Sequence, residues 1–205
     1  MTKTKRNTRK ILIDTAIDLI WQAGYSSVSV DEICKNADVR KGSFYHFFPS
    51  KVDLAVAAMD KAFQEFRPIM DEAFSSNRPP LERFEKLAND GLESQKMVAE
   101  QYGRVCGCPF VTLGAEMAPQ DETIRLKTDE IINHHKQYYE QALIDLVQEG
   151  SLPADTDVKT KANKIHSFIM GQLVMARIQN SLEPLGNELI TGMFRMIGAK
   201  EKVAA

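Results

Sequence analysis

Residues 29–51 read Ser-Val-Asp-Glu-Ile-Cys-Lys-Asn-Ala-Asp-Val-Arg-Lys-Gly-Ser-Phe-Tyr-His-Phe-Phe-Pro-Ser-Lys. Ser29 to Glu32 has the spacing of a capping box: a hydroxyl that can accept from the amide three residues on, and a carboxylate that can reach back. Ile33 and Ala37 then fall one helical turn apart on an inward face. Asp38 stands where the chain must reverse, and Asp tolerates left-handed backbone angles better than most residues. Val39 is placed to fill the angle before a second helix over about 40–46. Phe44, with Phe47 or Phe48, turns to the core. Arg40, Lys41, Ser43, Tyr45 and His46 are left on the outer face. A short helix, a tight turn and a second helix with basic and hydrogen-bonding side chains is the pattern of a helix-turn-helix, whose second helix enters the DNA major groove. The bland alternative for Arg40-Lys41 alone is a solvated helix face.

Working outward, the charge distribution agrees with the motif better than the total does. The 205 residues carry a formal charge of −2, yet residues 1–51 hold nine basic and five acidic side chains, a net of +4 that leaves −6 on the remainder. A basic N-terminal quarter on an acidic body is a local footprint for phosphate. Lys3, Lys5 and Arg6 taken alone are equally a solubilising tail. A hydrophobic content of 43% is enough to bury a core. No apolar run approaches the ~20 residues of a membrane span, and no apolar segment follows the basic N-terminus as in a signal peptide. The expectation is a cytoplasmic protein. Three cysteines argue against a disulfide framework.

The rest of the chain has helical periodicity and no convincing strand. Expected helices run over 6–23, stopped by Gly24, and over 50–75, opened by a second capping signal at Ser50–Asp53 and broken by Arg78-Pro79-Pro80. Further helices fall at 80–101, 110–117, 121–149, 157–181 and 185–198. The predicted fold class is all-α with about nine helices: a three-helix helix-turn-helix head over 1–49 and a helical bundle over 50–205. The helix at 157–181 has two apolar faces, one with Ile165 and Ile169 and another with Met170, Val174 and Ile178. Two faces imply burial on two sides, its own body and a partner; the centre of a monomer core is the alternative.

The spacing Ile33, Ala37, Val39, Gly42, Tyr45, Phe48, Lys51 resembles the TetR family of bacterial regulators, in order and without gaps over about residues 8–55. The resemblance implies that Tyr45, His46 and Lys51 contact phosphates, that Gly42 permits close approach to the DNA backbone, and that Lys41 and Ser43 face DNA. With Ser29 and Arg40 these are the expected DNA-binding residues. Three positions depart from the pattern: Cys34 where Ala is usual, Asp38 where Gly is usual, and Arg40 where Ser or Thr is frequent. Arg40 cannot cap its helix as a hydroxyl would and is free to add a DNA contact. The resemblance further implies that the bundle over 50–205 is the effector-binding and dimerisation domain and that the last two helices pair with their symmetry mates, with Met170, Val174 and Ile178 in a homodimer interface, on an operator that is an inverted repeat.

The stretch Cys106-Gly107-Cys108-Pro109-Phe110 is the second informative one. A thiol at a helix N-terminus has its thiolate stabilised by the helix dipole, and Cys108 is placed that way; the alternative is a small buried apolar residue. Phe110, Glu116, His135, Tyr139 and Arg177 are the other candidates for an effector site or a redox-sensing site. His134-His135 and Cys-x-Cys fall short of a metal site, so neither a metal nor a cofactor is expected. No nucleophile–base pair or phosphate loop appears, so an enzyme is not expected. The expected function is a DNA-binding regulator, a repressor released by a small molecule, electrophile or oxidant. An activator of the same fold, and a helical binding protein or enzyme with a fortuitous helix-turn-helix, remain as alternatives.

Overall fold

A computed structural model describes residues 3–198, with side chains from Asn7 onward, so Lys3, Lys5 and Arg6 lie outside the described side chains. Among the described residues every regular element is helical: α1 (Lys3–Ala23), α2 (Val30–Asn36), α3 (Lys41–Phe47), α4 (Lys51–Ala73), α5 (Pro80–Tyr102), α6 (Pro109–Met117), α7 (Glu122–Gln148), α8 (Val158–Gln179) and α9 (Asn187–Ile197), with a 3-10 turn at Glu183–Leu185. None of these helices is long and apolar enough to cross a membrane.

Local chemistry explains where the helices begin and end. Gly24 closes α1 at φ +90, donating its N–H to the Ile20 carbonyl at 2.9 Å. Ser50 opens α4: its hydroxyl accepts from the Asp53 amide at 3.2 Å and donates to the Asp53 carboxylate at 2.7 Å. Asp121 and Asp157 cap α7 and α8 by accepting from Ile124 and Thr160 amides, each at 3.0 Å. Asn180 ends α8 in the left-handed region at φ 49, a conformation Asn adopts more readily than most residues. Pro68 lies within α4 and removes one backbone donor from it.

The chain packs as two compact units. One comprises residues 1–66 and 109–131, the other residues 67–108 and 132–205. The first contains the α1–α3 head, the start of α4, α6 and the start of α7. Its core holds Leu12, Ala16, Ile33, Phe44 and Leu54, all fully buried; each large one contributes about 1.5–3 kcal/mol of transfer free energy. Within it α6 meets α7 closely, and a Cβ added at Gly114 would lie 2.5 Å from Thr128 Cγ2. The second unit is centred on Phe84, Leu143, Leu146, Ile165 and Met193. Arg83, only 4% exposed, links α5 to α7 there. Its guanidinium donates to Asp145 at 2.5 Å and to the Arg78 carbonyl at 2.8 Å.

Candidate nucleic-acid interface and sensor region

Residues 29–51 form two short helices, α2 and α3, around a tight turn. The Ser29 hydroxyl accepts from the Glu32 amide at 3.1 Å, so Ser29 acts as the α2 cap. Asp38 takes φ 51, and the Val39 amide returns to the Cys34 carbonyl at 2.9 Å. Phe44 and Phe48 are buried and their rings stand 6.1 Å apart, while Phe47 is half-buried. Arg9 of α1 lies over the Phe48 ring at 5.2 Å. Arg40 precedes α3 without a side-chain capping bond.

With the aromatic face inward, α3 shows solvent the opposite set. Arg40, Lys41, Gly42, Tyr45 and His46 are exposed and Ser43 is half-buried. Tyr45 is 51% exposed despite packing edge-on against Phe44. Nothing comes within 4 Å of a Cβ added at Gly42. Lys41 pairs with Asp31 across the turn at 2.7 Å, an exposed pair that solvent screens.

Lys51 lies beside this face, at the start of α4. Its ammonium turns inward and donates to the carbonyls of Tyr25 and Val28, each at 2.6 Å, and it lies 3.7 Å from the centroid of the Tyr25 ring. Burial holds its pKa below the ordinary lysine value, against the pull of Glu116. A side chain bonded in this way braces the turn between α1 and α2.

Glu116 of α6 meets the same turn. Its carboxylate accepts from the Tyr25 amide at 2.8 Å and the Ser26 amide at 2.7 Å. Burial works to raise its pKa, but the bonds from Ser26 and Tyr25 and the charge of Lys51 outweigh it, so the carboxyl lies below its ordinary value. Phe110 is buried edge-on to Phe63 in the same unit, with ring centroids 6.4 Å apart. It lines an apolar cavity of about 30 Å³ with Ala16, Ile20, Trp21, Met59 and Leu113.

Cys108, His135, Tyr139 and Arg177 belong to the second unit. The loop before α6 is strapped on both sides. Gln95 of α5 brackets Gly107, accepting from its amide at 2.9 Å and donating to its carbonyl at 3.2 Å. Arg177 of α8 donates to the Cys106 carbonyl at 2.6 Å, and the Asn180 side chain accepts from the Val105 amide at 2.9 Å. Cys108, half-exposed, follows the strapped Gly107 in the chain. The other two thiols are buried, and burial pushes both up, with Asp31 adding to the effect at Cys34 and the charges of Arg177 and Arg104 only partly opposing it at Cys106.

His135 and Tyr139 do share a face of α7, and they meet a residue that the sequence did not single out. His166 of α8 has its ring 6.2 Å from His135 and 6.1 Å from Tyr139. Phe74 and Phe84 close the aromatic wall around Tyr139, at 5.5 and 5.9 Å. Both histidines are buried, which pushes each down to about 4, helped at His135 by His166 and His134 and at His166 by Lys136. The Tyr139 hydroxyl is pushed well up, first by burial and then by the Cys108 thiol. His166 had only an apolar helical context as a signal, and Gln95 had none, since its partner is a backbone group.

On α8 the outward stripe is apolar. Val174, Met175 and Ile178 are exposed, Ile178 by 71%, and Met170 is half-buried. Met196 of α9 is exposed too.

Comparison with known proteins agrees with this architecture at both ends of the chain. Residues 12–58 match the family described as bacterial regulatory proteins, tetR family, and residues 80–188 match the tetracyclin repressor-like C-terminal domain. The chain belongs to the TetR family. It is 30% identical to the transcriptional regulator AcuR of Cereibacter sphaeroides over 178 residues, 85% of this chain and 78% of that one. It is 27% identical to the transcriptional repressor NemR of Escherichia coli K12 over 191 residues, 91% of this chain and 92% of that one. The crystal structure of E. coli NemR in its reduced form superposes with a TM-score of 0.81 at 26% identity, covering 95% of this chain and 99% of that one. These TetR-family relatives are transcriptional regulators, NemR a repressor.

Proposed function

We propose that this TetR-family protein is a homodimeric transcriptional repressor that leaves its operator when a small molecule, electrophile or oxidant acts on the helical body. Residues 1–49 serve DNA binding, and residues 50–205 serve sensing and dimerisation. The observation that carries the reading is the α2–turn–α3 unit, whose buried Phe44 and left-handed Asp38 leave Arg40, Lys41, Gly42, Tyr45 and His46 together on the exposed face. Half-buried Ser43 stands at its edge. A helix held in this way places its N-terminal residues against base edges and its flanks against phosphates.

The exposed apolar stripe at Val174, Met175 and Ile178 supports pairing of two copies through α8. Two heads on an inverted repeat must stand about 34–36 Å apart to enter successive major grooves. A coupling of about 1–3 kcal/mol between effector and head changes affinity roughly 5- to 150-fold. The strapped loop that presents half-exposed Cys108 beside Tyr139 supports the thiol route. The similarity to NemR, solved in a form named as reduced, points the same way.

The test is selection of a bound sequence from a random duplex pool, followed by titration of variants on it. Tyr45→Ala should weaken binding to selected and scrambled duplexes alike, as for a phosphate contact. Arg40→Ala or Lys41→Ala should change the preferred sequence. A wild-type protein that selects no sequence refutes the reading. For the sensor, iodoacetamide should release DNA from the wild type and leave Cys108→Ser bound; equal release from both removes the thiol route.

A further inference from the structure

The turn that leaves α1 is held from two sides by charged groups of two other helices. Glu116 of α6 takes the amides of Tyr25 and Ser26 at 2.8 and 2.7 Å. Lys51, the first residue of α4, takes the carbonyls of Tyr25 and Val28 at 2.6 Å each. The backbone of Tyr25 is therefore shared: its N–H goes to α6 and its C=O to α4. Hydrogen bonds to ionised groups are roughly twice as strong as neutral ones, so four of them make this turn a stiff junction. The approach depends on Gly24. A Cβ there would stand 3.2 Å from Glu116 Oε2, at a backbone φ of +90 that side chains disfavour.

The remainder of the joint is looser. Between α1, α4 and α6 lies the apolar cavity of about 30 Å³ lined by Ala16, Trp21, Met59, Phe110 and Leu113. Apolar contacts are non-directional and constrain the position of α6 against α1 less sharply than hydrogen bonds do. The polar clamp at the Glu116 end has no such slack. A shift of α6 must therefore carry the α1–α2 turn with it, and α2 starts directly after that turn.

We propose that Glu116 is a positioning residue for DNA binding: its carboxylate, opposed by Lys51, transmits the position of α6 to the α1–α2 turn and so sets the orientation of the helix-turn-helix. This rests on the DNA-binding reading above. Glu116 touches no DNA; it acts through the backbone of Tyr25 and Ser26. Cys108 immediately precedes α6 in the chain, so a change at the sensor loop has a covalent path to this clamp.

The test is Glu116→Gln in the full-length protein, which keeps the side-chain volume but loses the charge and the second acceptor. Amide hydrogen exchange is followed by NMR, and affinity is measured on the duplex selected by the wild type. The Tyr25 and Ser26 amides should exchange about tenfold faster, with α2 and α3 amides at wild-type rates, and affinity should fall about tenfold, within the range of allosteric couplings. Trp21, the only tryptophan, lines the cavity, and its emission maximum should stay at the wild-type value if packing is intact. Wild-type exchange at Tyr25 and Ser26 would overturn the proposal. So would faster exchange with affinity within about twofold of wild type, or acceleration through the whole head with a lowered thermal midpoint, since either leaves Glu116 a purely structural role. If the wild type selects no duplex, the regulator reading falls and this proposal with it; that outcome shows before any substitution is made.

Discussion

Acidification from pH 7.5 to 5 should destabilise this protein through two histidines. His135 and His166 are 5% and 6% exposed, their rings 6.2 Å apart, and both are pushed from 6.5 to about 4. The folded-state values are depressed, so the unfolded chain takes up protons first as pH falls. The stability they contribute is complete above the unfolded value of 6.5 and is lost as pH drops towards the folded value of about 4. At pH 5 each unfolded-state imidazole is almost fully protonated and each folded-state one almost fully neutral, a difference of about 2 kcal/mol per histidine. Together that is about 4 kcal/mol, a large part of a typical total of about 5–15 kcal/mol.

The window matters because carboxylates also lose stability in acid. Asp14 and Glu116 are held below their ordinary values of 3.8 and 4.5, so their contribution goes at lower pH. Urea unfolding at fixed protein concentration, at pH 7.5 and 5, is the assay. With a slope near 2 kcal/mol per molar, the wild-type midpoint should fall by about 2 M. His166→Leu should about halve that fall, because it removes one of the two titrating groups. Both ring nitrogens of His166 are buried without a hydrogen-bond partner among the described residues, so the substitution should cost little at pH 7.5. A midpoint that does not move between pH 7.5 and 5, or an undiminished fall in His166→Leu, would refute the reasoning.

Asp145→Asn should destabilise the protein by about 3 kcal/mol in thermal or urea unfolding, because it removes the charge opposite the buried Arg83 guanidinium, 2.5 Å away. Gly114→Ala should lower stability by about 1–3 kcal/mol through overpacking against Thr128, and Gly114→Ala combined with Thr128→Ser should recover part of that loss, since the threonine methyl at 2.5 Å is the nearest clash and the hydroxyl at 2.8 Å stays. Ile178→Asp should yield monomers by light scattering and weakened operator binding, since the charge would enter the apolar stripe proposed to pair two copies; an unchanged dimer mass would exclude α8 from the interface.

The parts of this molecule legible in its sequence are those whose causes are local. Ser29, Asp38, Ser50 and Gly24 each act on amides or carbonyls a few residues away, and the periodicity of Ile33, Phe44 and Phe48 reports directly which face is buried. The contacts of Lys51 and Glu116 are not legible there, for the opposite reason. The Tyr25 amide and its acceptor on Glu116 are 91 residues apart, and no spacing rule joins them. Half of that contact was nevertheless written in the chain. Gly24 leaves helical angles at φ +90 and the Tyr25 amide finds no acceptor in α1; Tyr25 is buried, and a buried backbone donor requires an acceptor. A demand at Tyr25 follows, without the name of its supplier. Among the carboxylates of the later helices, only folding decides that Glu116 meets it, which is why a residue read as an effector-site candidate lies on the backbone of the turn after α1.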